Sequence, residues 1–137
     1  MSSKFLTTGL VASVVAFILG YLLYGIALDS YFKGELTVQV GRADTDFVWW
    51  SLILGHVTWG FLLTHIIGTW AGISTFVSGA KAGALVGLLV GLTFNLINYG
   101  VMDITSMASG FVDAIVMALT AGITGGVIGM MMGRNKA

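Results

Sequence analysis

The sequence predicts an all-α, four-helix transmembrane bundle, and three observations support this prediction. Of the 137 residues, 57% are apolar and only 9% are charged, whereas soluble domains carry roughly 25% charged residues. Four apolar runs are each long enough to supply the ~20 helical residues that cross a bilayer core. These runs are continuous rather than alternating in polarity, and they are too long for the strands of a membrane β-barrel.

The four predicted helices belong to one domain and cover about residues 5–28, 47–70, 82–102 and 111–132. The first follows Lys4, but its apolar run of about 24 residues exceeds the 7–15 of a signal peptide, so we expect a retained membrane helix. The segment "ELTVQVG" (residues 35–41) is predicted to be an irregular loop, with a short strand as the alternative. The segment "GISTFVSGAKAG" is predicted to be a flexible turn before the third helix.

The distribution of charge predicts the orientation of these helices. One side of the membrane receives four cations: Lys4, Lys81, Arg134 and Lys136. The other side receives two cations and all six acids: Lys33, Arg42, Asp29, Glu35, Asp44, Asp46, Asp103 and Asp113. Because Lys and Arg are enriched in cytoplasmic loops, both termini are predicted to be cytoplasmic in a multi-pass protein of the cell (inner) membrane.

A series of residues at four-residue spacing occurs in two helices and predicts that a two-helix hairpin has been duplicated. The first helix carries Ala12, Ala16, Gly20 and Tyr24, and the third carries Gly87, Gly91, Asn95 and Tyr99. Each series ends in Tyr-Gly with an aspartate beyond it. The second and fourth helices show no matching pattern, so the duplication is predicted from two helices only.

Polar side chains in the third helix form a candidate site. On a helical wheel, Asn98 and Tyr99 lie within about 60° of Asn95. Because an unpaired amide facing lipid is costly, we expect these groups to face the interior of the bundle. They either make hydrogen bonds between helices or line a polar pocket open to the outside, with Asp103 at its edge. The predicted cluster joins them to two groups on other helices, Tyr24 and His56.

The two histidines of the second helix, His56 and His65, leave three roles open. They are nine residues apart, which predicts opposite helix faces and excludes one shared metal ion within a monomer. The first two roles are a structural hydrogen-bond donor and part of a proton or solute path. The third role is haem ligation, with Met102, Met117 or a second protomer supplying the other axial ligand. Apart from that haem, no cofactor or metal site is predicted.

Several functional classes are disfavoured by composition and by the motifs that the chain lacks. Net charge is zero, so no basic face for nucleic acid is expected. There is no Cys for thiol chemistry. No zinc, nucleotide-binding or nucleophile-elbow signature is present, so an enzyme is not expected. The acidic residues Asp29, Asp103 and Asp113 are predicted to be solvated helix ends rather than a cation site.

The stretches "FILGYLLYGIALDSYF" and "LINYGVMD" resemble segments of small bacterial four-helix integral membrane proteins of unknown function. The resemblance extends over about half of the chain. It rests on an aromatic-rich exit from the first helix, at Tyr21, Tyr24, Tyr31 and Phe32. It implies a four-helix membrane fold and carries no activity with it.

The leading functional hypothesis is a non-catalytic membrane protein, either a homo-oligomer or an accessory subunit of a larger complex. It rests on glycine stripes, such as Gly125, Gly129 and Gly133, that a small chain is not expected to bury completely. The alternative is an oligomeric channel or carrier for a small solute or ion, which uses His56 and the polar groups of the third helix. The third hypothesis is a haem-binding redox subunit.

Overall fold

The computed structural model describes residues 2–134, and nearly all regular structure in that range is helical. Among these residues, four helical segments are long and apolar enough to cross a membrane, and they cover Ser3–Ala27, Trp49–Trp70, Phe76–Val101 and Met107–Gly133. This confirms the prediction of an all-helical fold with four long apolar helices. Lys136, one of the cations used to predict the orientation, lies outside the described residues.

Two of the four membrane helices change geometry near their ends. The five α-helices of the described range are α1 (Ser3–Gly20), α2 (Asp29–Gly34), α3 (Trp49–Leu63), α4 (Phe76–Val101) and α5 (Met107–Gly133). Helix α1 continues as a π-helical turn, Tyr21–Ala27, and α3 continues as another, Thr64–Trp70. A 3-10 turn, Asp44–Asp46, precedes α3. Such π-helical turns are rare in proteins, and those that occur are frequently found at functional sites.

Helices α4 and α5 begin earlier than predicted because serine and threonine caps precede them. Thr75 Oγ1 accepts a hydrogen bond from the Ser78 amide at 3.3 Å, so α4 begins at Phe76. The predicted flexible turn is therefore largely helical. Ser106 Oγ accepts from the Ser109 amide at 3.1 Å, so α5 begins at Met107. These side chains satisfy amides that the first turn of a helix leaves unpaired.

Helices α4 and α5 pack antiparallel with their backbones in direct contact. A Cβ on Gly91 would lie 2.8 Å from Ala114 Cα. Along the same face of α4, a Cβ on Gly79 or Gly83 would overlap a backbone carbonyl oxygen of α5. At this separation only glycine fits, and the close approach increases van der Waals contact between helices in lipid.

Helix α1 packs antiparallel against α3 and also contacts α5. A Cβ on Gly60 of α3 would lie 2.7 Å from Ser13 Cα of α1. Lys4 Nζ donates to the Met132 carbonyl at 2.8 Å, which places the start of α1 beside the end of α5. Between the helices lies a fully buried core of Ala12, Leu63, Ile67, Ala121 and Ile128. Helix α5 is the most buried of the four membrane helices.

The opposite end of the bundle is formed by residues 29–46 and 102–106, and we call it the loop end. The Thr37 amide donates to the Ile104 carbonyl at 3.1 Å, beside an isolated antiparallel bridge between Leu36 and Thr105. Ser106 Oγ donates to a Glu35 carboxylate oxygen. Residues 35–41 contain no strand, which agrees with the favoured prediction of an irregular loop.

Candidate functional site

Side chains from three helices meet at one carboxylate near the loop end. Asp113 lies on α5, Asn95 lies on α4, and Tyr24 lies on the π-helical turn that continues α1. The Tyr24 hydroxyl donates to Asp113 Oδ1 at 2.6 Å, and Asn95 Nδ2 donates to Asp113 Oδ2 at 2.5 Å. Each carboxylate oxygen is therefore held by a different helix. We call these three residues the Asp113 site.

Small residues around Asp113 allow this convergence. Asp113 follows the first residue of α5, Met107, by six positions, which is about 9 Å along a helix. One turn earlier is Gly110, where a Cβ would lie 3.1 Å from Asn95 Cβ. Asn95 Nδ2 also donates to the Gly91 carbonyl at 2.9 Å, which fixes the orientation of the amide.

The Asp113 carboxylate has no cationic partner within residues 2–134, where the one ion pair joins Lys33 to Asp29 at 2.9 Å. The hydrogen bond that Lys33 donates to Asp29, together with the attraction between the two charges, raises the pKa of Lys33. This lysine therefore stays protonated as the partner of Asp29. Tyr24 and Asn95 are neutral donors. The charge of an ionised Asp113 is therefore not neutralised by a side chain in the described part of the chain, and a proton or another cation would neutralise it.

A groove of about 350 Å³ leads from the loop end to the Asp113 site. Its lining includes Tyr24, Asp29, Lys33, Asn95 and Asp113. Farther from the loop end, the backbone contacts between α4 and α5 close the interface, beginning where Gly91 meets Ala114. The carboxylate is thus accessible from the loop end and shielded on its other side.

Of the predicted cluster of five residues, the structure places only Tyr24 and Asn95 at the Asp113 site. Asn98 Nδ2 donates to the Phe94 carbonyl of its own helix at 2.9 Å, on the outer surface of α4. The Tyr99 side chain is 47% exposed and lies where α5 begins. The predicted single polar stripe is therefore split. The buried face follows a four-residue glycine repeat from Gly79 to Gly91 and reaches Asn95 next.

His56 lies in the interface between α1 and α3, apart from the Asp113 site. Its ring packs edge-on against Phe17, with 5.0 Å between ring centroids. His56 Nδ1 lies 2.8 Å from the Leu52 carbonyl oxygen, which only accepts, so the proton of the neutral ring resides on Nδ1. Nε2 faces Gly20, where a Cβ would lie 3.1 Å away. In the neutral ring, Nε2 is a hydrogen-bond acceptor.

His65 contributes to the opposite half of the same interface. Its ring lies 4.7 Å from Trp70 and 6.2 Å from Phe5, measured between ring centroids. Both histidines therefore lie beside aromatic residues of α1, and their placement on opposite helix faces stays a prediction.

The acids at the loop end do not behave as one group. Asp103 is exposed, and its backbone carbonyl accepts from Thr37 Oγ1 at 2.6 Å. Asp113, which was predicted to be a solvated helix end, is instead half-buried and central to the site. One signal could have identified it. Treating Ser106 as the cap of the last helix places Asp113 two turns inside a membrane helix rather than at its edge.

No group of three or more His, Cys, Asp or Glu side chains in residues 2–134 is arranged to hold a metal ion. Comparison with known proteins found no matching family model, curated protein or solved structure. The class of the protein therefore rests on the fold itself. Four long apolar helices indicate a helical membrane protein, and in this one a carboxylate is held between three of the membrane helices.

Proposed function

We propose that the protein is a non-catalytic carrier for a small cation, and that Asp113 binds this cation. The observation behind the proposal is a membrane-helix carboxylate that accepts hydrogen bonds from Tyr24 and Asn95 yet has no cationic partner in residues 2–134. Ionisable residues within membrane spans commonly mark ion or proton pathways. The groove from the loop end gives the cation a route to the carboxylate.

Two kinds of small cation share this chemistry. A proton would occupy one carboxylate oxygen, and the remaining lone pairs would still accept from Tyr24 and Asn95. A monovalent metal ion would instead bind the carboxylate oxygens, with the Tyr24 hydroxyl oxygen as a further ligand. Either one would neutralise a charge whose burial in a low-dielectric region is otherwise costly.

The glycine contacts favour this proposal over the accessory-subunit hypothesis. That hypothesis assumed glycine stripes left over for other helices to cover. In the structure, the stripes of α4 and α5 pack against each other: a Cβ on Gly79 would meet Gly125, and a Cβ on Gly129 would meet Thr75. Most of the glycine surface of these two helices is therefore used within the chain.

Cation flux into liposomes tests the proposal. We expect the purified protein to carry protons, read by an internal pH dye under an imposed potential, or sodium, read by a sodium indicator. Asp113→Asn keeps the size of the side chain but removes its charge, and it should lower this flux at least about tenfold. Asp103→Asn is the matched control, because that residue is exposed and outside the membrane helices, and its flux should equal that of the wild type.

Two results would contradict the cation proposal. One is wild-type protein that raises neither proton nor sodium flux above that of empty liposomes. The other is Asp113→Asn protein that conducts as well as the wild type. Tyr24→Phe, which keeps the carboxylate and removes one donor, should show reduced but measurable flux, and size-exclusion profiles would establish that each variant is folded.

A second candidate function, assembly into a homo-oligomer or larger complex, is supported by the outer face of α3. Ser51 and Gly55 are exposed, and no atom outside the helix lies within 4 Å of a Cβ built on Gly55. Small residues one turn apart suit close contact with another helix. The chain has no Cys, so Gly55→Cys introduces a single thiol.

Oxidation of the single-thiol protein in native membranes tests this second candidate. If two copies meet at this face, Gly55→Cys should form a disulfide-linked dimer, because that bond requires Cα atoms within about 7 Å. Thr93→Cys, on an exposed face of α4, is the matched control and should stay monomeric. Equal dimer yields from the two variants would count against a specific interface at Gly55.

The proposed location is the cell membrane, with both termini in the cytoplasm. The contact of Lys4 with Met132 puts the start of α1 and the end of α5 at the same end of the bundle. Lys81 and Arg134 belong to that end as well, since a Cβ on Gly133 would meet Ser74 just before α4. The loop end carries most of the acids. This asymmetry supports an orientation with the loop end outside.

The haem hypothesis and the duplication stay predictions. An absorption spectrum of protein expressed with ample haem would test the first. Any iron bonded to His56 Nε2 would lie beside the backbone of Gly20, where a Cβ would be only 3.1 Å from that nitrogen.

For the duplication, the equivalent residues Tyr24 and Tyr99 occupy different environments, one bonded to Asp113 and one half-exposed.

A further inference from the structure

We propose that a second site, in the groove between α1 and α3 at the loop end, binds an organic cation of the quaternary ammonium type. We call this cavity the α1–α3 groove, and its volume is about 420 Å³. Ligand pockets typically enclose ~300–1,000 Å³ and combine apolar walls with a few polar groups. The residues that matter for the inference are Phe17, Tyr21, Asp44, Phe47, Trp49 and His56.

The shape of the groove follows from the backbone of α1. Gly20 has no side chain, which lets His56 approach α1 closely. The π-helical turn begins at the next residue, Tyr21, and widens the helix where it borders the groove. A Cβ on Gly25 would lie 3.2 Å from the Tyr21 ring, so this glycine leaves space for the aromatic side chain. These features keep the groove open in the described structure.

Aromatic rings form its walls. Phe17 and His56 lie 5.0 Å apart on the inner side, and Phe47 and Trp49 lie 5.9 Å apart on the side nearer the loop end, both measured between ring centroids. Tyr21 is 57% exposed as a residue, so much of its surface is free. Faces of such rings attract cations, and they accommodate alkyl groups on the cation at the same time.

Carboxylates at the mouth of the groove give the site a net negative charge. Asp29 and Asp44 both line it, and Lys33 pairs with Asp29 at 2.9 Å. Asp44 belongs to no ion pair within residues 2–134, so these three groups leave one negative charge. An anion would be repelled there. A bare metal ion prefers a cage of oxygen ligands to aromatic walls, so a cation with apolar substituents fits best.

This inference goes beyond the proposed cation pathway and does not depend on it. Tyr24 lines the α1–α3 groove, but its hydroxyl is already bonded to Asp113. The groove is open without any change at that carboxylate. Asp113→Asn should therefore leave binding in the groove unchanged, so the two proposals fail or succeed separately.

Equilibrium dialysis of the protein in nanodiscs of phosphatidylethanolamine, a zwitterionic lipid without a quaternary ammonium group, tests the site. Phenyltrimethylammonium, a small aromatic quaternary ammonium ion, should bind saturably with a dissociation constant in the millimolar range or below, relative to empty nanodiscs. Benzenesulfonate, an anion of similar size, should not. Absence of saturable phenyltrimethylammonium binding, or equal binding of the two probes, would overturn the proposal.

Neighbouring residues provide matched variants. Trp49→Leu removes an aromatic wall and Asp44→Asn removes the unpaired charge, and each should weaken phenyltrimethylammonium binding about three- to tenfold. Trp50→Leu and Asp46→Asn, which change adjacent residues that do not line the groove, should keep the wild-type affinity. All four positions are exposed, so the fold should survive each change. Equal losses in test and control variants, or no loss in the test variants, would also overturn the site.

Discussion

Replacing Gly83 with isoleucine should force α4 away from α5 and lower the free energy of unfolding by about 4 kcal/mol or more. A Cβ at this position would overlap the Ala121 carbonyl oxygen and lie 3.1 Å from Gly125 Cα. Both are backbone atoms, which cannot rotate away as the end of a side chain can. Relief therefore requires the whole helix to shift, and that shift removes contacts along the interface.

Unfolding of the purified variant by sodium dodecyl sulfate in mixed micelles, followed by circular dichroism, would measure this loss. Gly100→Ile is the control, because it makes the same substitution within the same helix but nothing lies within 4 Å of the new Cβ. Its unfolding should stay close to that of the wild type. If Gly83→Ile were as stable as Gly100→Ile, the described contact between α4 and α5 would be wrong.

Replacing Asp113 with leucine should cost about 3 kcal/mol of stability. The substitution removes the acceptor of the Tyr24 hydroxyl and one acceptor of the Asn95 amide. A buried donor without a partner costs roughly 1–3 kcal/mol. Asp113→Asn should cost less, since an amide oxygen still accepts one of the two hydrogen bonds.

The same unfolding assay separates the effect of the lost hydrogen bonds from the effect of changed side-chain packing. The triple variant Tyr24→Phe, Asn95→Leu, Asp113→Leu removes both donors together with the acceptor, and it should be more stable than Asp113→Leu alone. A triple variant that is less stable than the single variant would show that the polar groups are not paired as described. Asp103→Leu, outside the membrane helices, is the neutral control.

Composition and periodicity were sufficient to predict four long apolar helices, because a chain with 9% charged residues has little polar surface to offer water. They did not predict where two of the helices begin. Ser106 and Thr75 cap α5 and α4 through single side-chain hydrogen bonds. A hydropathy window averages over about 19 residues and does not resolve such caps.

The missed cap also explains the incomplete prediction of the site. A helix assumed to begin near residue 111 leaves Asp113 at its edge, whereas a helix that begins at Met107 carries Asp113 into the bundle. Asn95 was correctly expected to need a partner, but that partner was sought among hydroxyl and imidazole groups.

The spacing of the Asp113 site along the sequence has a consequence for biogenesis. Asn95 and Asp113 are 18 residues apart, within one hairpin closed by a short connection, whereas Tyr24 and Asp113 are 89 residues apart. Since short loops close at lower entropic cost, the Asn95 amide should form its hydrogen bond with Asp113 early in folding. The Tyr24 hydroxyl should reach Asp113 only when α1 and α3 dock onto the hairpin of α4 and α5. Formation of the hydrogen bond between Tyr24 and Asp113 would then mark the last step in assembly of the bundle.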